Sequence, residues 1–76
     1  MNVTMYTKST CHFCNEAKAF LTSKKVPFTE INVEKNSKAV REMVEKSGQI
    51  GVPVIDVNGT IVVGFDRVEL RKALRL

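Results

Sequence analysis

Seventy-six residues and 8.5 kDa bound the chain to one small domain, 1–76, near the size at which a single core is barely sufficient. Hydrophobic residues at 43% and charged ones at 26% exclude a disordered chain, and no apolar run approaches membrane-spanning length. The net charge of +4 comes without a Lys/Arg stripe interleaved with aromatics, so a solvated basic surface that attracts small anions is expected, with no nucleic-acid and no membrane partner.

Asn2–Thr7 is rich in β-branched and aromatic residues and reads as a strand, after which Lys8-Ser9-Thr10 offers loop chemistry and a hydroxyl N-cap. From Cys11 onward, Cys14, Ala17, Phe20 and Leu21 recur at spacings of three and four, predicting an amphipathic helix that stops near Lys24-Lys25, ahead of Pro27. Phe28–Val33 alternates apolar and polar residues and reads as a second strand. The helix between them makes a βαβ unit, which requires a parallel pair. Asn36 or Ser37 caps the next helix, whose apolar positions are Ala39, Val40, Met43 and Val44, and Ser47-Gly48 ends it. Val54–Val57 and Thr60–Val63 flank Asn58-Gly59, the signature of a two-residue type I′ hairpin. Gly64-Phe65-Asp66 then leads into a last helix, Arg67–Leu74, with Val68, Leu70, Ala73 and Leu74 as its apolar residues. The order β-α-β-α-β-β-α is that of an α/β protein with a mixed four-stranded sheet covered by helices.

The two cysteines fall at the first strand–helix junction, as Cys11-His12-Phe13-Cys14. A cysteine in the first turn of a helix faces free backbone N–H groups and the positive end of the helix dipole, which favour thiolate over thiol. A second cysteine one turn on can attack whatever the first has captured. Two Cys and one His fall short of the four ligands of a structural zinc site, so no metal centre is expected within the monomer. Three residues of separation staple nothing distant, which argues against a secreted disulfide scaffold and for a cytoplasmic dithiol. Met1–Tyr6 lacks a signal-peptide pattern, so a soluble, unprocessed chain is expected. Cys14 lies on the apolar side of its helix and can serve as resolving cysteine or as a small core residue. His12 is expected to be exposed. Pro53 opens a β run, and on propensity alone it reads as a strand-initiating trans proline.

Tyr6-Thr7-Lys8, the Cys-His-Phe-Cys motif, Ser47-Gly48-Gln49, Gly51-Val52-Pro53 and Gly64-Phe65-Asp66 stand in an order that resembles the glutaredoxin family over essentially the whole chain. The resemblance implies a minimal thioredoxin fold with three helices flanking the sheet. It also implies a monomeric, glutathione-dependent thiol–disulfide oxidoreductase, acting on glutathionylated or disulfide-containing proteins through a nucleophilic Cys11, with Cys14 as the second catalytic cysteine. A cis Val52–Pro53 bond would present the Val52 backbone to an extended peptide beside Cys11. Glutathione, the co-substrate, would meet Lys8 and Gln49 at its glycyl carboxylate. Its γ-glutamyl carboxylate would meet the N–H groups of Phe65 and Asp66, with the Asp66 carboxylate facing the amine and Gly64 permitting close approach. The chain departs from the family pattern at His12-Phe13, where Pro-Tyr is frequent, at Gly51, where Thr is frequent, and at Val63-Gly64, where a Gly-Gly pair is frequent. These departures leave open a thioredoxin-like redoxin reduced by a flavoprotein reductase, and the resemblance to cluster-binding glutaredoxins leaves open a non-enzymatic iron–sulfur cluster carrier.

Overall fold

Strand β1, Val3–Thr7, takes the middle of the sheet because neither of its faces is suited to water: Val3, Met5, Tyr6 and Thr7 are all buried. The computed structural model describes all 76 residues. After β1 come α1 (His12–Ser23), β2 (Thr29–Asn32), α2 (Ser37–Ser47), β3 (Val54–Val57), β4 (Thr60–Val63) and α3 (Arg67–Leu74), in the predicted order. The sheet order is β2-β1-β3-β4. β1 runs parallel to β2 with Tyr6 opposite Ile31, and antiparallel to β3 with Tyr6 opposite Val54. β3 and β4 form the antiparallel hairpin, with Ile55 opposite Val62. This is the minimal thioredoxin fold.

Alternation along β1 and β3 divides the core between the two faces of the sheet. Val3, Met5, Ile55, Val57 and Val62 pack with Ala17, Phe20 and Leu21 of α1 and with Leu70 and Leu74 of α3. Tyr6, Val33 and Val54 pack with Ala39 and Met43 of α2 on the other side. Two polar clusters tie elements together. The buried Thr7 hydroxyl donates to Glu30 Oε2 at 2.7 Å, where Lys18 Nζ also arrives at 3.1 Å, joining β1, β2 and α1. Lys46 Nζ reaches Asp56 Oδ2 at 2.7 Å and lies 5.1 Å from the centre of the Tyr6 ring, joining α2 to the sheet.

Asn36 Oδ1 caps α2 by accepting the Ala39 N–H at 3.0 Å, and Gly48 closes that helix with φ of 73°. Asn58 and Gly59 have φ of 51° and 92°, the signs of the type I′ turn. Three local expectations are corrected. The α1 cap is Cys11 itself rather than a hydroxyl of Ser9 or Thr10, because Cys11 adopts extended backbone and its Sγ accepts the Cys14 N–H. β1 begins at Val3 rather than Asn2. β2 is shorter than Phe28–Val33: as an edge strand it pairs on one side only, and Phe28 serves as packing against the core. Val68 is 63% exposed, since the helical period that buries Leu70 and Leu74 turns it to solvent.

Candidate active site

The register of the sheet gathers the candidate residues at one end. Tyr6 opposite Val54 sets the exit of β1 beside the entry of β3, and Val54 opposite Val63 sets the exit of β4 beside that same entry, at one end of the sheet. Lys8 and Cys11 follow β1, Val52 and Pro53 precede β3, and Gly64, Phe65 and Asp66 follow β4.

Cys11 and Cys14 are joined as a disulfide with Cα atoms 5.2 Å apart. Their environments differ: Cys14 is fully buried on the core side of α1, while Cys11 is only half-buried. Cys11 Sγ lies 3.1 Å from the Cys14 backbone nitrogen, at the N-terminus of a twelve-residue helix with no acidic residue in its first turn. Once the disulfide is reduced, that N–H and the helix dipole favour negative charge on this sulfur. His12 is exposed and pairs with Glu16 at 3.1 Å, one turn further along α1.

The loop leading to Cys11 is fastened to the loop after β2. The Ser9 N–H donates to Glu34 Oε1, Asn32 Nδ2 donates to Ser9 Oγ at 3.1 Å, and the Glu34 N–H donates to Asn32 Oδ1 at 2.8 Å. Hydrogen bonds from Ser9 hold the Glu34 carboxyl below its ordinary range, and the positive charge of Lys8 adds to the effect. Lys8 itself is exposed. Sequence reasoning does not find Glu34, whose only signal is an acidic residue two positions beyond Asn32.

The Val52–Pro53 peptide bond is cis, as the resemblance implies and propensity does not. Pro53 is buried, and its carbonyl accepts the Gly64 N–H at 2.8 Å, which locks the proline turn to the end of β4. Gly64 takes φ of 77°, a conformation that L side chains rarely adopt. Phe65 packs edge-on against Phe20 of α1, with centroids 5.9 Å apart, so the approach to α3 is anchored to the helix that carries the dithiol. Asp66 is exposed and caps α3, its Oδ1 accepting the Glu69 N–H at 3.1 Å.

Gln49 is half-buried and folded onto its own loop. Its Oε1 accepts the Gly51 N–H at 2.5 Å, while its Nε2 donates to the Gly51 carbonyl at 3.1 Å and lies 3.3 Å from Ser47 Oγ. Exposed apolar side chains stand on the same segments: Phe13 at 58%, Ile50 at 70% and Val63 at 48%. None of the four surface clefts is lined by Cys11; the widest, about 620 Å³, lies beside Met1, Asn58 and Arg75.

A disulfide at the head of α1, one cysteine buried and one half-buried, beside a cis proline on a β2-β1-β3-β4 sheet, defines a thioredoxin-fold disulfide oxidoreductase. The family model for glutaredoxin matches residues 3–62, and the chain belongs to the glutaredoxin family. It is 42% identical over 65 residues to glutaredoxin 3 of Escherichia coli, covering 86% of this chain and 78% of that protein. It is also 33% identical over 70 residues to the glutaredoxin-like protein NrdH of Lactococcus lactis, covering 92% of this chain and 96% of that one. Among solved structures, the glutaredoxin of Archaeoglobus fulgidus superposes with a TM-score of 0.91 at 29% identity, covering 99% of this chain and 87% of that chain. No helix is long and apolar enough to cross a membrane.

Proposed function

We propose that the protein is a monomeric, cytoplasmic, glutathione-dependent oxidoreductase that reduces protein–glutathione mixed disulfides through Cys11. The observation that supports this reading is the asymmetry of the dithiol: Cys14 is fully buried, whereas Cys11 is only half-buried and stands at a helix N-terminus. In the reduced protein, the Cys11 thiolate attacks the glutathione sulfur of a mixed disulfide. The substrate sulfur departs as thiolate and takes up a proton, leaving glutathione disulfide-bonded to Cys11. The thiolate of a second glutathione then attacks the bound glutathione's sulfur, forming oxidised glutathione and returning Cys11 as thiolate. In the reduction of a protein disulfide, Cys11 attacks one substrate sulfur to form a mixed disulfide and releases the other as thiolate; Cys14 then attacks the Cys11 sulfur, displacing the bound substrate sulfur as thiolate and closing the bond present in the structure.

For recognition, the Val52 backbone pairs with the extended tripeptide, in the manner of an added strand, against the turn that Pro53 sets. Lys8 attracts the glycyl carboxylate, with Gln49 as a second donor when its carboxamide leaves the loop. The N–H groups of Phe65 and Asp66 take the γ-glutamyl carboxylate, the Asp66 carboxylate faces the amine, and Gly64 keeps that approach clear of a side chain. The deciding experiment is turnover of a glutathionylated peptide with and without glutathione. Turnover that depends on glutathione and vanishes in Cys11→Ser supports the reading, and turnover indifferent to glutathione overturns it.

A second reading, a redoxin reduced by a flavoprotein reductase, is favoured by the commitment of the Gln49 carboxamide to its own loop and by the likeness to NrdH. Comparing the rates at which glutathione and a thioredoxin-reductase-type flavoprotein reduce the Cys11–Cys14 disulfide separates the two.

A further inference from the structure

Three of the four glycines are explained by backbone sign: Gly48, Gly59 and Gly64 have positive φ, and a Cβ on any of them would meet nothing within 4 Å. Gly51 is the reverse case. Its φ is not positive, so its backbone suits an L side chain, yet a Cβ there would lie 2.7 Å from Gln49 Oε1. What glycine provides at this position is room, and the room is filled by the Gln49 carboxamide.

That carboxamide has two N–H donors and one oxygen, and the loop uses each side of it. The oxygen takes the Gly51 N–H, and the nitrogen serves the Gly51 carbonyl and lies within reach of Ser47 Oγ. Ser47 Oγ is in turn 2.7 Å from the Met43 carbonyl, in the last turn of α2. A chain of contacts thus runs from α2 through Gln49 to the residue directly before Val52. The obstructing atom is the far end of a flexible side chain, so a methyl group at position 51 displaces the carboxamide and leaves the backbone in place.

We propose that Gly51 is a specificity-determining position that holds Gln49 as a brace on the loop. A side chain at position 51 would release the carboxamide as a second donor for a peptide carboxylate. With glycine, the carboxylate relies on Lys8 and the Gln49 side chain keeps the approach to Val52 rigid. The ligand part rests on the glutathione reading above; the brace does not.

The test uses the full chain and the variants Gly51→Ala, Gln49→Ala and the two combined. Amide hydrogen exchange at position 51 reads the brace: protection of about tenfold in the native protein, lost in either single variant and not lowered further in the double variant. Persistent protection in Gly51→Ala, or additive losses in the double variant, overturns the brace. Steady-state kinetics with a glutathionylated peptide read the specificity: Gly51→Ala lowers KM for glutathione about threefold relative to the double variant, with kcat changed less. Equal KM values in those two proteins overturn the specificity role. Absence of glutathione-dependent turnover in the native protein instead marks failure of the functional reading, and the exchange measurement still decides the brace.

Discussion

Cys11 Sγ lies 3.1 Å from the backbone nitrogen of Cys14, so the sulfur of the half-buried cysteine is also the cap of the helix that carries its buried partner. The same hydrogen bond that starts α1 is available to stabilise a Cys11 thiolate. On the proposed reading of Cys11 as nucleophile, helix capping and thiolate stabilisation would share one interaction.

The two cysteines are therefore expected to separate on substitution. Cys11→Ser loses turnover of a glutathionylated peptide to background, whereas Cys14→Ser keeps rates within about tenfold of native and loses reduction of protein disulfides. Rates for both variants on both substrates check this, and equal loss of deglutathionylation in the two variants sinks the proposal that Cys11 acts alone in that reaction.

Asp66 caps α3 and, in the proposed function, faces the glutathione amine, and different substitutions distinguish the observed role from the proposed one. Asp66→Ala removes the cap of α3 and costs about 1 kcal/mol, seen as a Tm lower by roughly 4–8 °C for a domain of this size. Asp66→Asn keeps a capping oxygen and most of the stability but removes the charge opposite the glutathione amine, so KM for glutathione rises while Tm stays near native. Thermal melts and KM values on the two variants are the measurement.

Glu30 gives the fold a defined acid limit. The Thr7 hydroxyl first, and then Lys18, hold its carboxyl below the ordinary value of 4.5. A carboxyl depressed in the folded state contributes fully above its unfolded value, and the contribution is lost as pH falls through the lower folded value. Since the Glu30 side chain is 38% exposed, solvent screening limits the effect, and Glu30→Gln is expected to cost about 1 kcal/mol at pH 7. Urea titrations from pH 7 downward should show the two proteins converging below pH 4.5; a gap that stays constant to pH 3 contradicts the assignment.

Lys8 shares its surroundings with Glu34, which limits what its charge can do for an incoming anion. Lys8→Ala should raise KM for glutathione about threefold and flatten its dependence on ionic strength, because exposed charges act through screened, long-range attraction. Glu34→Gln should move KM the opposite way. Kinetics at low and high salt on both variants check the pair.

The fold was legible wherever a local rule governs. Cys14, Ala17, Phe20 and Leu21 mark α1 by their period, and Asn58-Gly59 fixes the hairpin because its two residues must take positive φ. The cysteine pair at the head of α1 and Pro53 at the entry of β3 were also legible, the cis bond only through family resemblance. What escaped depends on residues distant in the chain or on the exact filling of space. Thr7 and Glu30 are 23 residues apart, and nothing near either names the other. The Gln49 brace is invisible to pattern because it depends on an atom that Gly51 lacks.

Met1 and Arg75 line one cleft together with Asn58 of the hairpin turn, and the Asn2 N–H donates to Asn58 Oδ1 at 2.7 Å. The β1–β3 register places that turn at the opposite end of the sheet from Cys11. Met1 and Arg75 thus share the end of the sheet remote from Cys11. A linker, an affinity handle or a fused redox partner joined there would leave the dithiol pointing outward, so the domain can be immobilised or tethered by either terminus with its chemistry still presented to solution.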